Sequence, residues 1–163
     1  MRVIAAKTNC SDTFAMQFVD KTSTRTPNQP KRVVMLTFDG ASSLDTIGPV
    51  DVLAGAKMAL QAPDPVYQVE MFSLGGGLVS TSPAQLKIDT LALGDLNNGP
   101  IDILMISGGE SAVEIYQTPE MCSAVRMLSQ RANCVASICT GAFILASAGL
   151  LKKPQSHNPL VLV

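Results

Sequence analysis

Apolar positions fall into four short runs separated by stretches with a helical period. Val33-Val34-Met35-Leu36-Thr37-Phe38 is nearly continuous in apolar residues, the texture of a strand covered on both faces. Val66 to Phe72, Ile101 to Ile106 and Cys134 to Ile138 read as three further strands. Between them, helical spacing predicts helices over about 49–61, 110–117, 119–131 and 141–148. Pro119 suits a first helical turn, with Thr118 as N-cap and Met121, Val125 and Leu128 on one face. Gly75-Gly76-Gly77 reads as a turn, and Leu78 to Ile88 as a short hairpin lying off the main sheet. Strands alternating with helices predict an α/β fold, a parallel sheet sandwiched by helices.

Composition narrows the function classes. A chain of 163 residues fits one domain. Only 15% of residues are charged, against about 25% in an average domain, and the formal net charge is −1. Neither value gives a case for binding a phosphate backbone. Residues 1–32 differ from the rest. They hold six basic residues (Arg2, Lys7, Lys21, Arg25, Lys31, Arg32) and two acidic ones (Asp12, Asp20), are rich in Ser and Thr, and are expected to be a flexible leader. Residues 33–163 form the domain and carry net −5.

Ala132 to Leu151 is uncharged and long enough to cross a bilayer. Asn133, Ser137, Thr140, Gly141, Ser147 and Gly149 interrupt it, so a buried strand, a tight turn and a buried helix are expected, with no membrane partner. No secretory h-region is visible, and the unpaired thiols agree with the cytoplasm. Cys10, Cys122, Cys134 and Cys139 form no C-x-x-C pair, which with a single His157 leaves no metal-site pattern. Gly75-Gly76-Gly77 lacks the spacing of a dinucleotide fingerprint, so no cofactor is expected.

Three segments carry candidate chemistry. In Val135-Ala136-Ser137-Ile138-Cys139-Thr140-Gly141-Ala142-Phe143 a strand ends, one cysteine follows and a helix begins. That is the layout of a nucleophile elbow, with small residues, Ser137 and Gly141, at the crowded positions two before and two after the nucleophile. The same spacing suits a buried, inert cysteine. Ile106-Ser107-Gly108-Gly109-Glu110 places paired glycines at a strand's carboxyl end. Their N–H groups, with that of Thr140, could stabilise an oxyanion, or the glycines could form an ordinary turn. Phe38 to Pro49 follows the first strand and should share the same carboxyl edge, where open α/β sheets bind ligands. Within it, Asp45 lies between Leu44 and Ile47. It is either a helix cap or a buried carboxylate able to share a proton with a neighbouring thiol.

Taken together, these segments resemble the ThiJ/PfpI superfamily, whose fold is flavodoxin-like and like that of class I glutamine amidotransferases. The similarity is greatest to the amidotransferase-like domain of AraC-type regulators of the GlxA kind. It rests on Phe38-Asp39-Gly40, Leu44-Asp45, Gly48-Pro49, Gly75-Gly76-Gly77, Ser107-Gly108-Gly109, Ala136 to Phe143 and Ala148-Gly149-Leu150-Leu151. The resemblance implies that Cys139 is the elbow cysteine, that Asp45 hydrogen-bonds its sulfur, and that Gly108, Gly109 and Thr140 are backbone donors. Isocyanide hydratases of the superfamily also carry an aspartate at the place of Asp45, whereas deglycase and glyoxalase relatives tend to have glutamate. The implied functions are therefore a small-molecule-sensing domain of a regulator, a cysteine-dependent hydratase, or an inactive relic. Members are commonly homodimers.

The resemblance is expected to end near Leu151, where relatives continue with a His-containing strand, another strand and a closing helix. His157 is not carried over as catalytic. The expectation is a C-terminally incomplete domain that lacks the regulators' helix-turn-helix pair and so does not itself bind nucleic acid.

Overall fold

The computed structural model describes residues 3–6, 29–151 and 161–162. Its strands are β1 (Val3–Ala6), β2 (Lys31–Leu36), β3 (Tyr67–Ser73), β4 (Gly75–Ser80), β5 (Lys87–Ala92), β6 (Ile101–Ile106), β7 (Ala132–Ile138) and β8 (Val161–Leu162). Its helices are α1 (Ser43–Ala59), α2 (Ala112–Ile115), α3 (Pro119–Arg131) and α4 (Gly141–Ser147), with a short 3-10 turn at Leu93–Asp95. All the strands lie in one sheet, ordered β4-β5-β3-β2-β6-β7-β1-β8. The centre is parallel: β2 pairs with β3 and β6, and β6 with β7. Only the margins, β4 on β5 and β1 on β7 and β8, are antiparallel.

The central strands are covered on both faces, as the unbroken run at 33–36 predicts. Val33, Val34, Met35 and Leu36 are all at 0% exposure. Val34, Leu36, Leu104 and Ile106 point into the larger core with Met121, Val125, Leu128, Ile144 and Leu145. Val33, Met35, Ile103 and Met105 form the opposite core, against which Val50 and Leu53 of α1 pack. Alternation of side chains along a strand supplies both cores from one run.

The uncharged stretch 132–151 folds as β7, a two-residue turn and α4, and no helix among the described residues is long and apolar enough to cross a membrane. Pro119 opens α3 with Thr118 at the N-cap, but the Thr118 hydroxyl donates back to Ile115 O at 2.9 Å and makes no capping bond.

Two local expectations need correction. Gly75-Gly76-Gly77 is not a turn, because antiparallel pairing with β5 carries it as the start of β4. That hairpin does not lie off the sheet either, since β5 pairs in parallel with β3 at Phe72–Leu91 and Ser73–Ala92. The segment expected to be a leader contributes β1, and β2 opens at Lys31; residues 7–28 lie outside the described ones.

Helix α1 begins at Ser43, well before Pro49. Ser42 is its N-cap, with Oγ accepting from the Asp45 N–H at 3.3 Å, so Pro49 falls inside the helix and has no N–H to offer the Asp45 carbonyl. In the same helix Gly55 is exposed, and a methyl group there would meet nothing within 4 Å. Gly55→Ala is therefore expected to stabilise the fold by about 0.5–1 kcal/mol through lower unfolded-state entropy, read as a higher urea midpoint at unchanged slope.

Candidate functional site

Three chain segments meet at the carboxyl edge of the sheet: the β2–α1 loop, the loop after β6 and the β7–α4 junction. Cys139 occupies that junction with φ 50°, a left-handed backbone that non-glycine residues rarely adopt. Its side chain is exposed. The tight turn is possible because α4 comes down directly on the end of β6. A methyl group on Gly141 would lie 2.6 Å from Ser107 O and 2.8 Å from Ile106 O.

Asp45 is not the cap of α1. Ser42 holds that position, and Asp45 sits in the first turn, only 8% exposed. Its carboxylate faces Gly108. A methyl group on Gly108 would stand 2.8 Å from Asp45 Oδ2, 3.0 Å from Cys139 Cβ and 2.5 Å from Ile138 O. One point above Gly108 thus touches both the acid and the carbon that bears the thiol, so their separation cannot exceed the sum of those two distances. Without a side chain at Gly108, the buried Asp45 carboxylate and the β-carbon of the exposed Cys139 approach one point at the strand end, while among the described residues no hydrogen bond of the kind the resemblance implied joins Asp45 to the Cys139 sulfur.

The three expected donors differ in state. Gly109 N–H donates to Thr140 Oγ1 at 2.8 Å, and the same hydroxyl donates to Gly109 O at 2.7 Å. The Thr140 side chain therefore clamps the diglycine loop to the elbow and occupies the Gly109 donor. No hydrogen bond between described residues engages the N–H of Gly108 or of Thr140.

Sequence reasoning missed a layer beneath these groups. Thr37, Thr46 and Ser107 are fully buried, and their hydroxyls meet: Thr46 Oγ1 lies 2.6 Å from Ser107 Oγ and 3.4 Å from Thr37 Oγ1. The available signal was polarity out of place, a threonine inside the apolar run 33–38 and a serine directly after β6. Cys122 is buried, with Sγ donating to Tyr116 O at 3.3 Å, and Cys134 is half-buried. Cys10 and His157 lie outside the described residues. Among the described residues no group of three His, Cys, Asp or Glu side chains could hold a metal ion.

A family model for DJ-1/PfpI proteins matches residues 31–157. The chain belongs to the DJ-1/PfpI family. The match runs past Leu151, the expected limit of the resemblance. Among curated relatives, an uncharacterised protein of the cpoL 5' region in Streptomyces lividans is 37% identical over 124 residues, 76% of this chain and 83% of its own length. An isonitrile hydratase of Pseudomonas putida is 29% identical over 132 residues, 77% of this chain and 52% of the hydratase. An HTH-type transcriptional regulator of Mycobacterium tuberculosis is 35% identical over 61 residues, 37% of this chain and 24% of the regulator. The chain thus spans about half of the hydratase and about a quarter of the regulator. The fold also matches the crystal structure of an AraC family transcriptional regulator from Pseudomonas putida, with TM-score 0.57 and 22% identity, over 74% of this chain and 71% of that one.

Proposed function

We propose that this DJ-1/PfpI domain is the small-molecule-sensing part of a regulator of the AraC type, with its ligand seated on Cys139 and Asp45. The observation that supports the reading is the convergence of Asp45 Oδ2 and Cys139 Cβ on one point over Gly108. An exposed thiol backed by a buried carboxylate suits a small polar or electrophilic ligand. The sulfur meets the ligand, and the acid exchanges a proton with it. The N–H groups of Gly108 and Thr140 serve as donors to a developing negative charge, while Gly109 supports them through Thr140. The regulator relatives favour a binding role over turnover. In this reading the protein works in the cytoplasm as a homodimer.

The test is a thermal-shift screen of small aldehydes, isocyanides and amines. A binder at a hundred times its Kd should stabilise the protein by about 2.7 kcal/mol, and Asp45→Asn and Cys139→Ala should each remove most of that gain. A binder whose effect survives both substitutions would place the ligand elsewhere and end the proposal.

The isonitrile hydratase relative and the aspartate at position 45 favour a second reading, hydration of an isocyanide. In that scheme Cys139 Sγ bonds to the terminal carbon of R–N≡C, and Asp45 passes the thiol proton to the same carbon, giving a thioimidate. Water then adds across the C=N bond, its hydroxyl to carbon and its proton to nitrogen. Collapse expels the thiol and leaves the N-substituted formamide. Proton NMR of the formamide decides between the two readings: multiple turnovers abolished by Cys139→Ala mean an enzyme, and binding without product means a sensor.

A further inference from the structure

The buried hydroxyls of Thr46 and Ser107 form an oriented chain, and its direction follows from proton counting. Thr46 Oγ1 donates to Ser42 O at 2.8 Å, the carbonyl of the α1 cap. A hydroxyl has one proton, so at its 2.6 Å contact Thr46 must accept from Ser107 Oγ. The more distant Thr37 Oγ1, at 3.4 Å, can likewise only donate to Thr46. Ser107 is left with Gly108 O at 3.5 Å as a minor second acceptor.

Each end of this chain bears on the site. Thr46 follows Asp45 on the first turn of α1, and Ser107 precedes Gly108 at the end of β6. The backbone repeats the link, with Ser42 N–H donating to Gly108 O at 2.8 Å. Ser107 also touches the elbow, because its carbonyl is the atom a methyl group on Gly141 would strike. The three residues are at 0% exposure, so none of their hydroxyls can turn to water if its partner is removed. A buried hydroxyl left unpaired is costly, which makes the bonded arrangement the stable one.

We propose that Ser107 and Thr46 are positioning residues for the Asp45–Cys139 pair, their hydroxyl bond holding the α1 turn against β6 so that the carboxylate stays over Gly108. The inference rests on the reading that Asp45 and Cys139 act together. It concerns only the distance between acid and thiol and names no ligand.

The experiment is a double-mutant cycle read by the rate of Cys139 alkylation with iodoacetamide in the folded protein, in a background where the other three cysteines are serine. Asp45→Asn is expected to change that rate. Ser107→Ala and Thr46→Val should each reproduce most of the change, at least threefold, and should add little in the Asp45→Asn background, because they act through Asp45. Thr46→Ser keeps the hydroxyl and should restore the rate to within twofold of the parent. Should Ser107→Ala or Thr46→Val lower the unfolding temperature without moving the alkylation rate, the hydroxyls are only structural and the inference is overturned. It is overturned equally if their effects add fully to that of Asp45→Asn. If Asp45→Asn itself leaves the rate unchanged, the pairing of acid and thiol fails instead. For a variant too unstable to assay alone, the Thr46→Ser and Thr46→Val comparison at 10 °C decides.

Discussion

Cys139→Gly is expected to make the protein more stable than Cys139→Ala by about 1 kcal/mol, while both variants lose every function that needs the sulfur. Cys139 holds φ 50°, where a β-carbon crowds the following carbonyl and costs roughly 1–2 kcal/mol. Alanine keeps that β-carbon. Glycine removes it and gives back only part of the gain through its more flexible unfolded chain. The side chain is exposed, so neither substitution opens a cavity in the core. Urea unfolding of the two variants isolates the strain, and the ligand or formamide assay reads the lost chemistry. Equal midpoints would mean that the elbow stores no strain.

The wide features of this fold were legible in the sequence because they rest on periodicity. The run 33–36 is uniformly apolar, and its side chains supply two cores. The spacing of Met121, Val125 and Leu128 sets one buried helix face. The elbow was legible for a different reason, since Ser137 and Gly141 are small where a sharp strand-to-helix turn leaves no room. Asp45 was ambiguous. A carboxylate early in a helix is as good a cap as a partner by sequence; Ser42 takes the cap, and the place of the Asp45 carboxylate beside Gly108 depends on a residue far along the chain. The departures at Gly75-Gly76-Gly77 and at the start of α1 share one cause. Gly and Pro act as local punctuation only where nothing outweighs them, and here pairing with β5 and capping by Ser42 override that preference.

The hydroxyl layer could not be read in advance, because it joins residues far apart in the chain through atoms that carry no periodic signal. Thr46 and Ser107 are brought together only when β2 and β6 lie side by side in register, Leu36 opposite Ile106. The clamp of Thr140 on Gly109 is of the same kind. It also changes a role: Gly109, a free donor by sequence, uses its N–H to hold the loop.

Gly141→Ala is expected to destabilise the protein by about 3 kcal/mol and to abolish the ligand response as well. At the first position of α4, helix propensity alone would favour alanine by roughly 1 kcal/mol, so any loss must come from contact. The added methyl would lie 2.6 Å from Ser107 O and 2.8 Å from Ile106 O, two main-chain atoms at the end of a buried central strand that cannot swing aside as a side-chain tip would. Relief requires α4 to lift from β6, and overpacking of this kind costs about 1–3 kcal/mol or more. Lifting α4 carries Cys139 away from Gly108 and therefore from Asp45, so stability and chemistry should fall together. In a domain of this size the loss corresponds to a drop of roughly 6–12 °C in Tm. Gly55→Ala, which meets nothing, is the matched control and should move the opposite way. A Gly141→Ala protein within about 1 kcal/mol of the parent, less than the overpacking cost, would mean that α4 does not bear on β6, and the reason for thiol and carboxylate to sit together would go with it.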